Sequence, residues 1–394
     1  MTINRYYKTI KTALRKAVLP DTYFTSRYSF SPYMACMHGC KYCDGRAEKY
    51  YVEGDFETDI VIRKNLSHCL EQELPKLRER GFVSIGSGIS DPYQPLEAEE
   101  GLMLAASRLL HSHHPHAMVM TKNALVQRDL PTWQALHERG GFLLMMSLVY
   151  PTDQLRQIFE PGASSVDERL HTLVRFKQAG MHVGVLAMPF LPFLCDDEPT
   201  IRALFGKLKE IGVDFVLPGC LTLRPGRQKE LYFSVIAQHF PALLPKYENL
   251  YRENRQSGSP LRSYSHGVFQ MAERILDEMG IPHAIPHHVY AGNFELYDEI
   301  YILLAHMQQL YSQRGIDITP LRGAFKHYAS WLKEQKTWFN RRRSLVPDAI
   351  SQPLRQMIED AGFDKILHNP KLAAFIKTVV TRQALLDYTT LKLR

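Results

Sequence analysis

No stretch of this chain is apolar for long enough to cross a bilayer. The longest apolar run, residues 183–195, is broken by Pro189 and Pro192, and it falls short of the ~20 residues that a spanning helix needs. No membrane span is therefore expected. Neither a signal peptide, an internal repeat nor a low-complexity segment is evident. Cysteine is scarce, with six in 394 residues and no paired spacing outside one triplet. That excludes a disulfide framework and points to a reducing compartment, so the expected location is cytoplasmic. Disorder is excluded as well, because 45% of the residues are hydrophobic, enough for one large or two modest cores.

Acidic residues are few at both ends. Residues 1–27 carry six Lys/Arg against one Asp, and residues 322–394 carry fourteen against six acids. The ends therefore hold +13 and residues 28–321 hold −6 of the net charge of +7. Basic ends around an acidic middle suit an anionic partner gripped from outside the core, with nucleic acid as the candidate and solvated helix faces as the alternative. Residues 4–18 are basic, free of acids and helical in period. They read as an amphipathic helix docked on the core, with an organelle transit peptide as the alternative.

Half of the cysteines lie in one run, Cys36-Met-His-Gly-Cys40-Lys-Tyr-Cys43. A tetrahedral zinc site normally takes four ligands, and no second Cys-x-x-Cys or His-x-x-x-His pair stands nearby to complete one. A cubic iron-sulfur cluster can be held through three irons, leaving the fourth open for a small molecule. Zinc or plain core thiols are the alternatives.

From residue 28 to about 223 the sequence alternates short apolar strands with amphipathic helices, the pattern of parallel β/α units. Candidate strands are residues 28–35, 82–87, 117–122, 142–150, 182–189 and 214–223, and candidate helices are 60–80, 101–111, 130–139, 166–179 and 200–211. Six strands and five helices fit an incomplete β/α barrel, whose chemistry gathers at the C-terminal strand ends. The cysteine loop, residues 87–91, Lys122, Ser147, Met188-Pro189 and Cys220 all fall at or near such ends. Beyond residue 223 the spacing is helical, over 227–240, 265–280, 294–314, 325–335, 353–361 and 372–388. The expected organisation is a basic N-terminal helix (1–27), a partial barrel (28–225), a helical continuation (226–290) and a basic helical extension (291–394).

The triplet spacing is that of the radical S-adenosylmethionine (SAM) superfamily. The runs Ser87-Gly-Ile-Ser-Asp-Pro-Tyr-Gln-Pro95, Met120-Thr-Lys-Asn-Ala124 and Phe159-Glu-Pro-Gly-Ala163 with Glu168-Arg-Leu170 resemble its spore photoproduct lyase-like branch over residues 28–280. The resemblance implies an α/β fold, a partial (β/α)6 radical SAM barrel with a mainly helical C-terminal extension. It implies a [4Fe-4S] cluster on Cys36, Cys40 and Cys43, with SAM on its open iron and an electron donor such as flavodoxin or ferredoxin. Tyr42 takes the place of the aromatic residue beside the SAM adenine. Ser90, Lys122 and Ser147 stand where the lyase holds the SAM ribose and carboxylate, and Arg169 is a further candidate for the carboxylate. Such a zwitterion needs a cation and hydroxyl partners on physical grounds alone. The bland alternatives are strand-end solvation for Lys122 and Ser147 and a surface helix charge for Arg169.

One departure is chemical. The lyase donates a hydrogen atom from a cysteine at the position held here by Gly88, and Asp44 replaces a tyrosine. Cys195, Cys220 and Tyr93 are the substitute donors to consider, with core packing as the alternative for each; Cys69 reads as core. The spare cysteines are too few and scattered for a second cluster. His111-Ser-His-His-Pro-His116 reads as an exposed loop at the barrel's opposite end, and His283, His287 and His288 as a solvated loop, with metal or proton-donor roles as alternatives. Gly86-Ser-Gly88 is an isolated phosphate-loop fragment. The run 333–343 interleaves Trp338 and Phe339 with basic residues, as single-strand nucleic-acid sites do, although Trp331 and Trp338 also have core spacing. The expected function is radical SAM chemistry on nucleic acid, a lesion or modified base, without the lyase's cysteine donor. The alternatives are a peptide or small metabolite as substrate, or a non-catalytic cluster-binding scaffold or redox sensor.

Overall fold

The computed structural model describes residues 2–86, 89–341, 347–360 and 362–394. Among the described residues are ten strands: β1 (Asn4–Lys8), β2 (Arg15–Asp21), β3 (Ser26–Phe30), β4 (Tyr33–Met34), β5 (Asp59–Arg63), β6 (Val83–Ile85), β7 (His116–Thr121), β8 (Gly141–Ser147), β9 (His182–Phe190) and β10 (Phe215–Cys220). Seven form one sheet in the order β10-β9-β8-β7-β6-β3-β2, and β1-β5-β4 form a small second one. Within the large sheet β3, β6, β7, β8, β9 and β10 run parallel, and β2 joins antiparallel at the edge. These six parallel strands are the six expected from the alternation of apolar runs. Their order is that of an open α/β barrel carrying a helical C-terminal part.

The central strands are apolar throughout because both of their faces are covered. All seven residues of β8, Gly-Phe-Leu-Leu-Met-Met-Ser, are buried. The helix Val166–Gln178 starts on a capping box between Ser165 and Glu168, which satisfies two backbone donors that the first turn leaves open. The helix Glu198–Ile211 starts on the Asp197 side chain and stops at Gly212, whose φ of 73° suits a left-handed cap.

Two expectations fail at the N-terminal side. No helix forms over residues 4–18; β1 pairs in parallel with β5, and β2 pairs with β3. Every residue of β1 is exposed, so no buried stripe could hold a helix there, whereas the edge of β5 supplies backbone partners. The helix expected from residue 60 begins at Leu66. Residues 60–63 alternate buried and half-buried in β5, the period of a strand.

The C-terminal helices Leu296–Gln313, Thr319–Arg341, Asp348–Glu359, Asp364–Leu367 and Pro370–Val380 close on a core of their own, built around Tyr297, Ile300, Leu304, Tyr328, Leu354 and Ile376. The last helix stops short of the expected residue 388, and Leu386 instead bridges to Leu393. A buried charge cluster joins this core to the sheet. Lys336 Nζ lies 2.8 Å from Glu79 and 2.7 Å from Asp298, and Arg27 Nη2 lies 2.6 Å from Glu79. Lys336 is therefore withdrawn from any nucleic-acid face. Trp331 packs against the helical core, Trp338 is 51% exposed, and Arg342 and Arg343 lie outside the described residues.

The histidine tract is exposed only in part: Ser112 and His113 face solvent at the end of the helix Leu102–His113. His114 and His116 are buried, with His114 Nε2 2.8 Å from the Gly81 carbonyl and His116 Nδ1 3.0 Å from Asn293. His283 and His287 are buried too, and His287 Nε2 lies 2.8 Å from Glu299. Among the described residues no helix is long and apolar enough to cross a membrane.

Removing one member of a buried charge cluster leaves its partners uncompensated. Lys336→Met, measured by urea denaturation, is expected to destabilise the protein by about 3 kcal/mol. An unchanged midpoint would show that this cluster does not tie the helical part to the sheet.

Candidate cofactor site

The cysteine loop follows β3 and β4 and is held by hydrogen bonds from three directions. The Cys36 amide donates to the Phe56 carbonyl at 3.0 Å, and the Lys41 amide donates to the Phe159 carbonyl at 2.8 Å. Arg46 Nε donates to the Cys40 carbonyl at 2.9 Å. From the loop after β6, Ser90 Oγ donates to the Ala35 carbonyl at 2.9 Å, and Gln94 Oε1 accepts from the Met37 amide at 2.9 Å. Ala35 has φ 64° and Gly39 φ 62°, left-handed positions that fold the loop back on itself. Against its outer side lies Gly162, whose amide donates to the His38 carbonyl at 3.0 Å. A Cβ at residue 162 would fall 2.3 Å from the Met37 carbonyl oxygen.

Cys36, Cys40 and Cys43 all line one cavity of about 640 Å³. Burial pushes all three thiols up from their ordinary range, as expected for apolar surroundings that disfavour the thiolate. Ser90, Asp91, Thr121, Lys122 and Ser147 form the polar wall at the strand ends. Phe24, Met120, Leu186 and Met188 form an apolar wall, and Arg15, Lys16 and Arg27 stand on the side of β2 and β3. The Arg27 side chain is buried, and its Nε and Nη1 have no hydrogen-bond partner.

Behind the polar wall lies a buried ionic network. Lys122 Nζ donates to Ser147 Oγ at 2.7 Å and to the Tyr42 hydroxyl at 3.1 Å, and it lies 3.3 Å from Glu160. Glu160 also accepts from the Tyr42 hydroxyl and pairs with Arg169 at 2.5 Å. Burial works against the Glu160 charge, but the Arg169 guanidinium and the Lys122 ammonium outweigh it and hold the carboxyl at about 2. Arg169 is itself fully buried and donates to the Ser147 carbonyl at 3.0 Å and the Ser164 carbonyl at 2.9 Å. A second carboxylate, Asp91, organises the loops: it accepts from Thr121 Oγ1 and the Lys122 amide at 2.7 Å each and from the Tyr93 amide at 2.8 Å. His38 Nδ1 lies 3.4 Å from Asp91, and burial lowers the His38 pKa against the opposing pull of that carboxylate.

The structure thus gathers Cys36, Cys40, Cys43, Ser90, Lys122 and Ser147 around one cavity. Tyr42 and Arg169 do not line it. Tyr42 is a buried strut whose hydroxyl joins Lys122 to Glu160, and Arg169 is neither a surface charge nor a wall cation but the counter-ion of Glu160. The three substitute donors lie elsewhere. Cys195 Sγ accepts from the Leu191 amide at 3.2 Å, Cys220 Sγ lies 3.7 Å from the Ser265 carbonyl, and the Tyr93 hydroxyl donates to Asp129 at 2.9 Å. Among the described residues no cysteine beyond the triplet lines the cavity, while Ser87 and Gly88 lie outside those residues. Glu160, Asp91 and His38 were missed as single residues. Their signal was present, since each stands inside a run singled out for other members.

No family model matches the chain. Uncharacterized proteins of Mycobacterium tuberculosis and Mycobacterium bovis are each 30% identical to it over 252 residues, spanning 61% of this chain and 72% of their own. An uncharacterized protein of Acidianus two-tailed virus is 23% identical over 198 residues, 46% of this chain and 63% of its own. Among solved structures, spore photoproduct lyase complexed with dinucleoside spore photoproduct matches with a TM-score of 0.52 at 16% identity, covering 70% of this chain and 79% of that one. That likeness is one of fold.

Close packing leaves no room for a methyl group between residue 162 and the cysteine loop. Gly162→Ala is expected to lower the iron bound per chain at least about twofold after anaerobic reconstitution, because packed interiors do not yield to added volume. Gly206→Ala, where a Cβ meets nothing within 4 Å, is the control and should load normally.

Proposed function

We propose that this chain, which belongs to one family with the uncharacterized mycobacterial proteins and has the radical SAM fold of spore photoproduct lyase, is a radical SAM enzyme acting on nucleic acid. The observation that carries this reading is the convergence of Cys36, Cys40 and Cys43 with Lys122, Ser147, Ser90 and Asp91 on one cavity. Three thiols fit a [4Fe-4S] cluster with one iron left for a small ligand, since a cubane otherwise takes four. When bound, that cluster would supply the electron that splits SAM into methionine and a 5′-deoxyadenosyl radical.

The protein's own share is binding and exclusion of water. Lys122 offers an ammonium held by Ser147, and Asp91 offers a carboxylate on the same wall, a complementary pair for a zwitterionic amino-acid portion. Ser90 ties the SAM-side loop to the cysteine loop through the Ala35 carbonyl. The apolar wall of Phe24, Met120, Leu186 and Met188 suits a planar base, and Arg15 and Lys16 suit its phosphates. The dinucleoside photoproduct bound by the lyase of like fold supports the same substrate class. Gly88, with Cys195, Cys220 and Tyr93 outside the cavity lining, supports a reaction that does not use the lyase's thiol donor. An electron donor such as flavodoxin or ferredoxin belongs to this reading. A scaffold or redox sensor would have no need of the Lys122 and Ser147 wall, which is why we set it second.

Cluster-loaded protein reduced with dithionite is expected to release 5′-deoxyadenosine only when SAM is present, and Cys40→Ala should abolish the release. No release from protein with an intact cluster would sink the proposal. Lys122→Met should weaken SAM binding about tenfold, the worth of one charge-assisted hydrogen bond, as read by equilibrium dialysis. Binding of single-stranded DNA or RNA should fall with rising salt, and Arg15→Ala with Lys16→Ala should flatten the salt slope by about 1 to 2. Absent binding at low salt would move the substrate to a peptide or small metabolite.

A further inference from the structure

The strand ends facing away from the cysteines carry a second group of ligand atoms. His182 is the first residue of β9, Asp214 stands just before β10, and His288 lies in the short helix His287–Tyr290. His182 Nδ1 lies 3.5 Å and His288 Nε2 3.7 Å from the same oxygen, Asp214 Oδ1, and all three atoms lie within 4.8 Å of one another. We propose that His182, Asp214 and His288 form a binding site for a late first-row divalent cation such as zinc(II).

The distances carry the argument. Nitrogen and oxygen ligands each about 2.0 to 2.1 Å from a tetrahedral ion stand about 3.3 to 3.4 Å apart. The observed 3.5 and 3.7 Å are slightly longer than that and too long for good hydrogen bonds. Two imidazoles and one carboxylate are a zinc donor set, with a fourth position left for water. Neither imidazole is buried: the side chains of His182 and His288 are 29% and 46% exposed, so an ion can enter from solvent.

The carboxylate is already fixed. Asp214 Oδ2 accepts from the Val183 amide at 2.7 Å, the outer support that ligating carboxylates usually have, while Lys177 Nζ donates to Oδ1 at 2.8 Å and shares that oxygen with the two histidines. The His137 ring meets His182 edge-on at 5.7 Å and limits its rotation.

An ion here would tie the starts of β9 and β10 to the segment that leads into the C-terminal helices. Met188, which lines the cysteine cavity, stands at the other end of β9, so the two sites occupy opposite ends of one strand. The role that follows is structural: the ion staples the barrel floor to the helical extension.

Zinc titration of cluster-loaded, full-length protein against a chromophoric chelator is expected to show one zinc(II) per chain. Its X-ray absorption should show a nitrogen and oxygen shell without sulfur, which separates it from zinc on vacant cluster cysteines. His182→Gln and His288→Gln should each weaken binding at least tenfold, while His266→Gln, an exposed histidine elsewhere, should not. Wild type should also melt at higher temperature with zinc, and His288→Gln should not. No binding at micromolar zinc, sulfur in the shell, or variants that bind as wild type does would overturn the proposal.

Discussion

A single buried carboxylate, Glu160, holds the cysteine loop and the strand ends in one arrangement. A carboxylate that is fully enclosed is costly unless it is both paired and hydrogen-bonded. Here it is met by Arg169, Lys122 and the Tyr42 hydroxyl at once. Those partners come from the cysteine loop, from the end of β7 and from the helix Val166–Gln178, so satisfying the charge fixes three separate segments. Glu160 lies 3.3 Å from the Lys122 ammonium that faces the cavity beside Ser147, and Tyr42 sits between two of the three cysteines in sequence. With a folded pKa of about 2, the carboxylate's contribution is complete above the unfolded value of about 4.3. It is lost only as pH falls through about 2.

The same economy of charge recurs where the helical extension meets the sheet. Arg27, Glu79, Asp298 and Lys336 are buried together, two cations against two anions from four distant segments. Arg27 also lines the cysteine cavity, so the extension bears on one wall of the site through its contact with Glu79 and Asp298. Next to it β2 supplies Arg15 and Lys16 to the cavity. An N-terminal segment that packs as an edge strand thereby becomes part of the cavity lining.

Several assignments depended on this tertiary context. Arg169 follows a helix start in sequence and reads as a surface charge or a ligand for a carboxylate, yet it is enclosed because Glu160 needs a counter-ion. Tyr42 reads as a stacking residue, yet its hydroxyl is used as a strut. Cys195 and Cys220 lie near strand ends, but strand ends point in more than one direction, and these thiols turn toward the Leu191 amide and the helix Arg262–Met279. His288 reads with its sequence neighbours His283 and His287. Folding buries those two and carries His288 to His182 and Asp214, residues more than seventy positions away.

The amino-acid sequence alone determined the alternation of six strands and their helices, because apolar period and capping residues are local. It also determined the cysteine triplet, since three thiols within eight residues need no folding partner to be recognised, and the runs around Ser90 and Lys122. Only the tertiary structure decided that β1 and β2 are strands, because a strand is specified by a partner edge far away in the chain. It decided likewise which charges are enclosed, which thiols reach the cavity and which histidines meet. Burial and pairing arise between segments, and no local pattern of residues encodes them.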